Sequence, residues 1–438
     1  MPTVSNRHAE NRAEESGSPT TSDLAIIGAG PIGLEAASRA ALAGLNVIVF
    51  EKGQVGNHLS QWGHVRLFSP FRMNHSDWGL ELIKAAFPEL PLPHPDSYPT
   101  GSEMVETYLK PLSRIPQLSG RILEGIVVRS VGREGLGKHD LLGKPERSHH
   151  PFRLLVEQAG RRWIHRSRSV VDASGVYSRP QFMGNGNIAA PGECEAQQAA
   201  PDHFHRHLVD VNGNRRSMFA GRRVLLVGGG YSAATTLEAL RKLTGTAPRT
   251  RVYWVNCSVE PVPYERYPDD PFPYRDQIAT LANSLARRPP SWLSYLGGSM
   301  VDEILSWSPQ GPFRVVVDGT RNGGRRRREI EVDEIIAHVG FEPDNSIYRQ
   351  LQVQECYATS GPIKLAASLL GGSGDCGDQA SADLELLKNP EPDFFIVGNK
   401  SYGTNSTFLI RQGVVQVRLI IGHLANRLKA RHRPTAVA

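Results

Sequence analysis

Two short glycine-rich turns hold the residue patterns best suited to chemistry. The first is GAGPIG, Gly28 to Gly33. Gly28 permits a tight turn, Gly30 lets the backbone approach a pyrophosphate, and Gly33 lets the following helix lie close on the preceding strand. The free amides of that helix N-terminus then face the phosphates. Glu51, 23 positions beyond Gly28, can accept hydrogen bonds from the adenosine ribose hydroxyls, with Lys52 next to it in the same candidate site. The second turn is GGGYSA, in which Gly228, Gly230, Tyr231, Ser232 and Ala233 repeat the pattern, with Ala233 replacing the third glycine. That replacement widens the strand-to-helix contact slightly. The position matching Glu51 is Asn256. An acidic residue there would favour NAD and a nearby basic one NADP, so Asn256 decides neither.

The surrounding sequence supplies the elements that must position these turns. An apolar run from Asp23 to Ile27 precedes the first, a helical stretch from Ile32 to Ala43 follows it, Gly44 ends the helix, Asn46 turns the chain, and Val47 to Phe50 form a second strand. Around the second turn the order repeats. Arg222 to Val227 read as a strand, Leu237, Leu240 and Leu243 share one helix face, Gly245 closes the helix, and Arg251 to Val255 form the next strand. Two connectors, residues 169–180 and 333–344, read as strands ending in small-residue turns. Ser174 with Gly175, and Gly340, would let backbone pass close to a cofactor, although an ordinary buried strand and turn reads equally from these residues. Near the end, Phe394 to Val397 read as a strand, Gly398 and Asn399 as a close-approach turn, and Thr407 to Ala425 as a helix capped by Asn405 or Ser406. The expected organisation is a disordered segment 1–20, a discontinuous first domain (21–184 and 336–438) and an inserted second domain (185–335).

Composition narrows the class. The chain has 438 residues, enough for about two to three domains at roughly 150 each, and 39% hydrophobic with 21% charged residues describe a globular protein. The apolar run from Leu24 to Phe50 is broken by Glu35, Arg39 and several glycines and prolines, so no membrane span is expected. Cys194, Cys257, Cys356 and Cys376 form no CxxC, which gives neither a zinc site nor a dithiol pair and fits a reducing cytoplasm. The net charge is +6, and Arg321 with Arg325 to Arg328 forms a basic cluster between two strand-like runs. It reads as the solvated end of a hairpin turning at Asn322 to Gly324 rather than a nucleic-acid surface. The basic tail from Arg427 to Arg433 is read in the same way.

Taken together, GAGPIG with Pro31 and Glu51, DASG, GGGYSA, AHVGFEPD and FFIVGNKSYG resemble the flavin-containing monooxygenase-like branch of the two-dinucleotide-domain flavoproteins, over residues 23–425. The resemblance implies an α/β fold of two Rossmann-like domains, a glutathione-reductase-like FAD domain carrying an inserted NAD(P) domain, with FAD on the first turn and NAD(P)H on the second. By that likeness QWGHVRLFSPFRMNHS, residues 61–76, lies against the flavin ring, and Trp62, Arg66, Ser69 and Asn74 are the candidate catalytic residues. The other reading of this stretch is a surface loop. Three departures stand out. The family's FxGxxxHxxxW-type fingerprint is absent, since Pro191 and Gly192 are followed only by His203, His205 and His207. The family's Gly-Asp near the ribityl chain appears as Gly398-Asn399, with Asp375 and Asp378 as substitutes or plain loop residues. The histidines of HFHRH lack a carboxylate or cysteine partner in sequence and read as solvated, so no metal is expected.

The implied function is an FAD-dependent oxidoreductase that uses NAD(P)H, with monooxygenase-like chemistry on a small-molecule substrate. An NAD(P)H-dependent reductase of a quinone, metal or protein acceptor is the alternative, and a low-turnover flavin-binding redox sensor a third. Homodimer formation stays open.

Overall fold

The computed structural model describes residues 21–267, 270–321, 324–370 and 383–431. The expected disordered segment 1–20, Cys376 and the candidate substitutes Asp375 and Asp378 lie outside the described residues.

The first unit begins with β1 (Thr21–Ile27). Leu24 and Ile26 pack on one face of the sheet, Ala25 and Ile27 on the other, and all four are buried. This is the alternation of a central strand covered on both sides. The chain then enters α1 (Pro31–Leu42) and returns as β2 (Val47–Glu51), parallel to β1. Ala36, Ala37 and Ala40 of α1 are fully buried, so the helix seats close to the sheet. A helix α2 (Asp77–Ala86) follows, its N-terminus capped by Ser76, whose Oγ accepts from the Gly79 amide. Next come β3 (Ile122–Glu124) and an antiparallel meander of β4 (Val127–Arg133), β5 (Phe152–Gln158) and β6 (Arg161–Asp172). β6 is long enough to serve two sheets' worth of pairing: its first half pairs with β5 and its second half runs parallel to β1.

The second unit repeats this plan. Its parallel sheet contains β7 (Phe204–His205), β8 (Arg223–Val227), β9 (Arg251–Asn256) and β10 (Leu293–Gly297), with α3 (Tyr231–Thr246) and α4 (Pro273–Arg287) between strands. A meander of β11 (Ser299–Ser306), β12 (Phe313–Arg321) and β13 (Gly324–Val332) then leads into β14 (Glu334–Ala337), and the sheet order is β10-β9-β8-β14-β7. The chain crosses back to add β15 (Phe394–Ile396) beside the end of β6, and closes with α5 (Ile410–Arg431).

The hairpin expected at the arginine cluster is present, with Arg321 opposite Gly324 in the β12–β13 register. Arg326, Arg327 and Arg328 are exposed, and Arg327 lies 3.4 Å from both Asp302 and Glu303. Two local expectations are corrected. α3 runs through Gly245 to Thr246 and is capped at Ala247, because helical backbone hydrogen bonding continues past the glycine. The last helix starts at Ile410, not Thr407, because the Asn405 side chain accepts from the Thr407 amide and closes a turn ahead of the helix. Among the described residues no helix is long and apolar enough to cross a membrane.

Candidate functional site

Both glycine turns sit at the C-terminal ends of their central strands, the position from which open α/β sheets receive ligands. At the first, Gly28 has φ +99°, and a Cβ there would lie 2.8 Å from the Ala173 carbonyl oxygen just past β6. At the second, Gly228 has φ +141°, and a Cβ would lie 2.2 Å from the His338 carbonyl oxygen just past β14. The same crossing therefore excludes a side chain at both places. A Cβ on Gly33 would come 1.9 Å from the Gly28 carbonyl oxygen, whereas Ala233 fits in the second unit, fully buried. By contrast, nothing lies within 4 Å of the Cβ position at Gly30 or at Gly230, the residues that precede the two helices. Each helix N-terminus thus opens on free space lined by unpaired amides, which suits a pyrophosphate. Pro31 begins α1, and exposed Ser232 lies in the first turn of α3.

The residues at the ends of the second strands differ in state. The Glu51 carboxylate is buried and accepts from the Ala29 amide (2.7 Å) and the Gly53 amide (2.8 Å), one on each oxygen. Its oxygens retain lone pairs for ribose hydroxyls. Asn256 is 1% exposed; its Oδ1 accepts from the Ser258 amide, while its Nδ2 has no partner among the described residues. A buried donor without an acceptor is costly, and an adenosine ribose or its phosphate would supply one. The residues present fit FAD at the first turn and a nicotinamide dinucleotide at the second.

Behind the first turn lies an ion pair that the sequence reading missed. Lys400, in the short helix Asn399–Tyr402, is fully buried and donates to Asp172 Oδ2 (2.7 Å), Ser174 Oγ (3.1 Å) and the Asp344 carbonyl (2.8 Å). Ser174 in turn donates to Asp172 Oδ1. One ammonium thus ties together the turn after β6, the return connector after β14 and the turn after β15. Gly398 and Asn399 form that last turn, where the Gly398 amide donates to Gln416 Oε1 of α5. A lone aspartate in the apolar run VVDASG and a lysine after FFIVGN were the available sequence signals.

The two units meet through side chains just past their strand ends. The His58 and Tyr177 rings of the first unit are 5.9 Å apart, Tyr177 contacts Phe341 at 5.1 Å, and Phe341 stacks on His207 at 5.1 Å. Gly175 and Gly340 make the turns that present Tyr177 and Phe341, with φ of +69° and +95°. Lys52 donates to Ser178 Oγ at 2.6 Å beside this cluster. Burial, reinforced by the Lys52 charge, lowers the His58 pKa to about 4 and also lowers that of His207. Both imidazoles are accordingly neutral at neutral pH. His338 is buried against Thr236 Oγ1 (2.9 Å), and burial lowers its pKa to about 3.

The expectation that the HFHRH histidines are solvated is corrected. His203 Nδ1 and His205 Nε2 lie 2.7 and 3.0 Å from the two oxygens of Glu334, which is 1% exposed, and His207 is the residue stacked on Phe341. The carboxylate partner comes from 129 residues away, out of reach of local reading. Among the described residues no cluster of metal-ligating side chains is present.

The four proposed catalytic residues do not form one group. Trp62 is half-buried against Gly101, and exposed Arg66 donates to the Tyr98 carbonyl (3.1 Å). Ser69 and Asn74 bond each other: Ser69 Oγ donates to Asn74 Oδ1 (3.0 Å), and Asn74 Nδ2 donates to the Ser69 and Pro70 carbonyls. Their polar atoms hold the turn at 69–74. Ser76 then donates to Glu35 Oε2 (2.7 Å), a buried carboxylate of α1, so this segment is anchored on the first unit. A cavity of about 300 Å³ lined by Lys144, Lys388, Glu391, Asp393, His423 and Arg427 opens at the start of β15, the opposite end of that strand from the glycine turns.

Residues 25–135 match the family described as pyridine nucleotide-disulphide oxidoreductase. No curated protein matches the chain. The bacillithiol disulfide reductase of Bacillus cereus is similar in structure, with a TM-score of 0.64 at 21% identity over 93% of this chain and 100% of that one. The thioredoxin reductase of T. acidophilum gives a TM-score of 0.56 at 15% identity, covering 93% of this chain and 99% of that one. The ornithine N-hydroxylase of Kutzneria sp. 744 gives 0.58 at 15% identity, covering 93% and 100%. The fold is therefore an α/β architecture with Rossmann-like sheets, shared with thioredoxin-reductase-like FAD and NAD(P) oxidoreductase structures. Disulfide reductases and an N-hydroxylase share it alike.

Proposed function

We propose that the chain is an FAD-dependent oxidoreductase that takes reducing equivalents from NAD(P)H, with FAD on the first glycine turn and the nicotinamide dinucleotide on the second. The observation that carries this reading is the pair of equivalent turns, linked past their strand ends by the ring contacts that run from His58 and Tyr177 through Phe341 on the return connector to His207 of the second unit. When bound, the flavin accepts a hydride from the nicotinamide and passes the electrons on. The protein's share is alignment and exclusion of water. Glu51 would hold the adenosine end of the FAD, the Lys400–Asp172 pair would keep the surrounding backbone turns in place, and Asn256 would offer its free amide to the ribose of the second dinucleotide. Neutral His58 and His207 can donate or accept hydrogen bonds at the cleft without adding charge.

For the onward step, oxygen insertion into a small molecule is the leading reading. None of the three described cysteines is among the side chains that meet in the cleft, and no disulfide joins them, which supports a route without a dithiol. The balanced reaction consumes one NAD(P)H, one proton and one dioxygen, placing one oxygen atom in the product and the other in water. The aromatic pair Tyr177 and Phe341 supports a second reading, reduction of a flat acceptor such as a quinone, because their rings can stack on it.

The test begins with purified protein. It is expected to carry about one FAD per chain, released on denaturation, and to be bleached by NAD(P)H without oxygen. Gly30→Val is expected to abolish flavin retention by filling the open space at the helix start, and Gly230→Val to slow bleaching with flavin retained. Absence of flavin after reconstitution, or joint loss of both responses in Gly230→Val, overturns the assignment. Labelled dioxygen then separates the two onward steps: label in the product supports insertion, and quinone-dependent NAD(P)H oxidation without label supports the second reading.

A further inference from the structure

Residues 61–76 touch both units, and the side chains that touch the second were not among those singled out from the sequence. On the first unit the segment is anchored through Ser76, which donates to Glu35 of α1. On the other side, His64 lies beside the Asp210 carboxylate and the Val209 backbone, which oppose the lowering of its pKa by burial. Phe68 reaches furthest. Its ring centroid lies 5.5 Å from that of Tyr231, edge-on at 66°, and 5.6 Å from that of Tyr274 on α4, and it packs against the hydrophobic core of the second unit.

Tyr231 is the first residue of α3, directly after the open position at Gly230. It is half-buried, and among the described residues its hydroxyl has no hydrogen-bond partner. Its ring contacts Tyr264 at 5.8 Å, and Tyr264 Oη donates to the Gly230 carbonyl at 3.0 Å. A row of rings, Phe68, Tyr231 and Tyr264, therefore runs from the first unit to the backbone of the second glycine turn. A phenol at the first position of a helix follows directly on the open glycine position, and its O–H, which lies in reach of the Arg275 and Asp270 charges, can donate to an anionic oxygen bound there. The ring must be held for that donor to be aimed, and Phe68 is the side chain of the first unit in edge contact with it.

We propose that Tyr231 donates a hydrogen bond to the pyrophosphate of the nicotinamide dinucleotide, and that Phe68, reaching across from the first unit, is the positioning residue that aims it. This rests on the nicotinamide assignment of the second turn. Binding of the second cofactor is thereby made dependent on the first unit, and the two domains act as one binding device.

The experiment titrates NADP+ and, separately, NAD+ into FAD-loaded protein by calorimetry, and measures flavin content and NAD(P)H KM and kcat in parallel. Tyr231→Phe is expected to weaken dinucleotide binding about 10-fold, and Phe68→Ala about 5-fold, each with one FAD retained. KM is expected to rise with kcat little changed. Phe68→Leu, which keeps most of the volume without the ring, is expected to weaken binding as well, and Phe68→Tyr to restore it. Wild-type affinity in Phe68→Ala or Phe68→Leu overturns the role of Phe68, and wild-type affinity in Tyr231→Phe overturns the role of the hydroxyl. If the wild-type protein holds FAD but binds neither dinucleotide, the nicotinamide assignment fails and takes this proposal with it.

Discussion

The two Rossmann-like units follow one plan, yet they are closed in different ways. In the first, the polar side chains behind the glycine turn already have partners: Glu51 on two amides, Asp172 on Ser174 and Lys400, Gln416 on Gly398. In the second, the matching strand end carries an amide with an unused donor, the third glycine is an alanine, and a neutral histidine occupies the place held by Ala173 in the first. The first is the more firmly cross-linked of the two turns. The second is looser, which under the proposed function would suit a ligand exchanged at each turnover.

That contrast can be broken at its strongest point. Lys400→Ala leaves Asp172 buried without its ammonium, and removing one partner of such a pair costs about 3–5 kcal/mol. Urea unfolding of the flavin-free protein is expected to show this loss, with Lys400→Met combined with Asp172→Asn recovering part of it. A Lys400→Ala protein as stable as wild type would mean that the cradle is not held by this pair.

A smaller effect tests the second unit through pH. The His338 pKa is lowered by burial from 6.5 to about 3, so below pH 6.5 the unfolded chain binds a proton that the folded chain excludes. The contribution is fully present above pH 6.5 and is lost as pH falls, by about 2 kcal/mol at pH 5. His338→Gln is expected to show a flatter decline between pH 7 and pH 5 than wild type. Equal slopes would show that His338 titrates normally.

The smallest effect sharpens the comparison of the turns. Ala233→Gly restores the third glycine, removes a buried methyl group and loosens the helix start, at a cost of about 0.5–1 kcal/mol. Flavin content is expected to stay at wild-type level in this variant, because the change lies in the second unit alone. Loss of flavin would mean that the two turns are coupled more tightly than their separate sheets suggest.

Much of this architecture was readable in the chain because it is local. A strand, a glycine turn, a helix and a second strand lie within about thirty residues, and periodicity with turn chemistry marks each part. The arginine hairpin was legible for the same reason. What escaped was assembled across distance. Glu334 reaches His205 from 129 residues away and Lys400 reaches Asp172 from 228, so neither partner advertises the other. The segment 61–76 illustrates both cases: its position after β2 was plain, but the roles of its side chains depend on which unit each one faces. Trp62, Arg66, Ser69 and Asn74 were chosen for their chemistry, while Phe68, with no polar atom, makes the ring contact across the cleft.

The placement of β15 bears on how the molecule is made. A ribosome delivers the whole second unit, from β7 to β14, before residues 394–396 emerge, so that unit can be complete while the first still shows the bare edge of Val170 to Asp172. During that interval the carboxylate of Asp172 has no ammonium to meet, and the exposed strand edge can pair with a neighbouring chain. Synthesis halted before Phe394 would thus release a polypeptide with one finished half and one adhesive half. Phe394–Ile396 thus complete the sheet on which the first glycine turn is built, and Lys400, arriving just after them, completes the ion pair behind that turn.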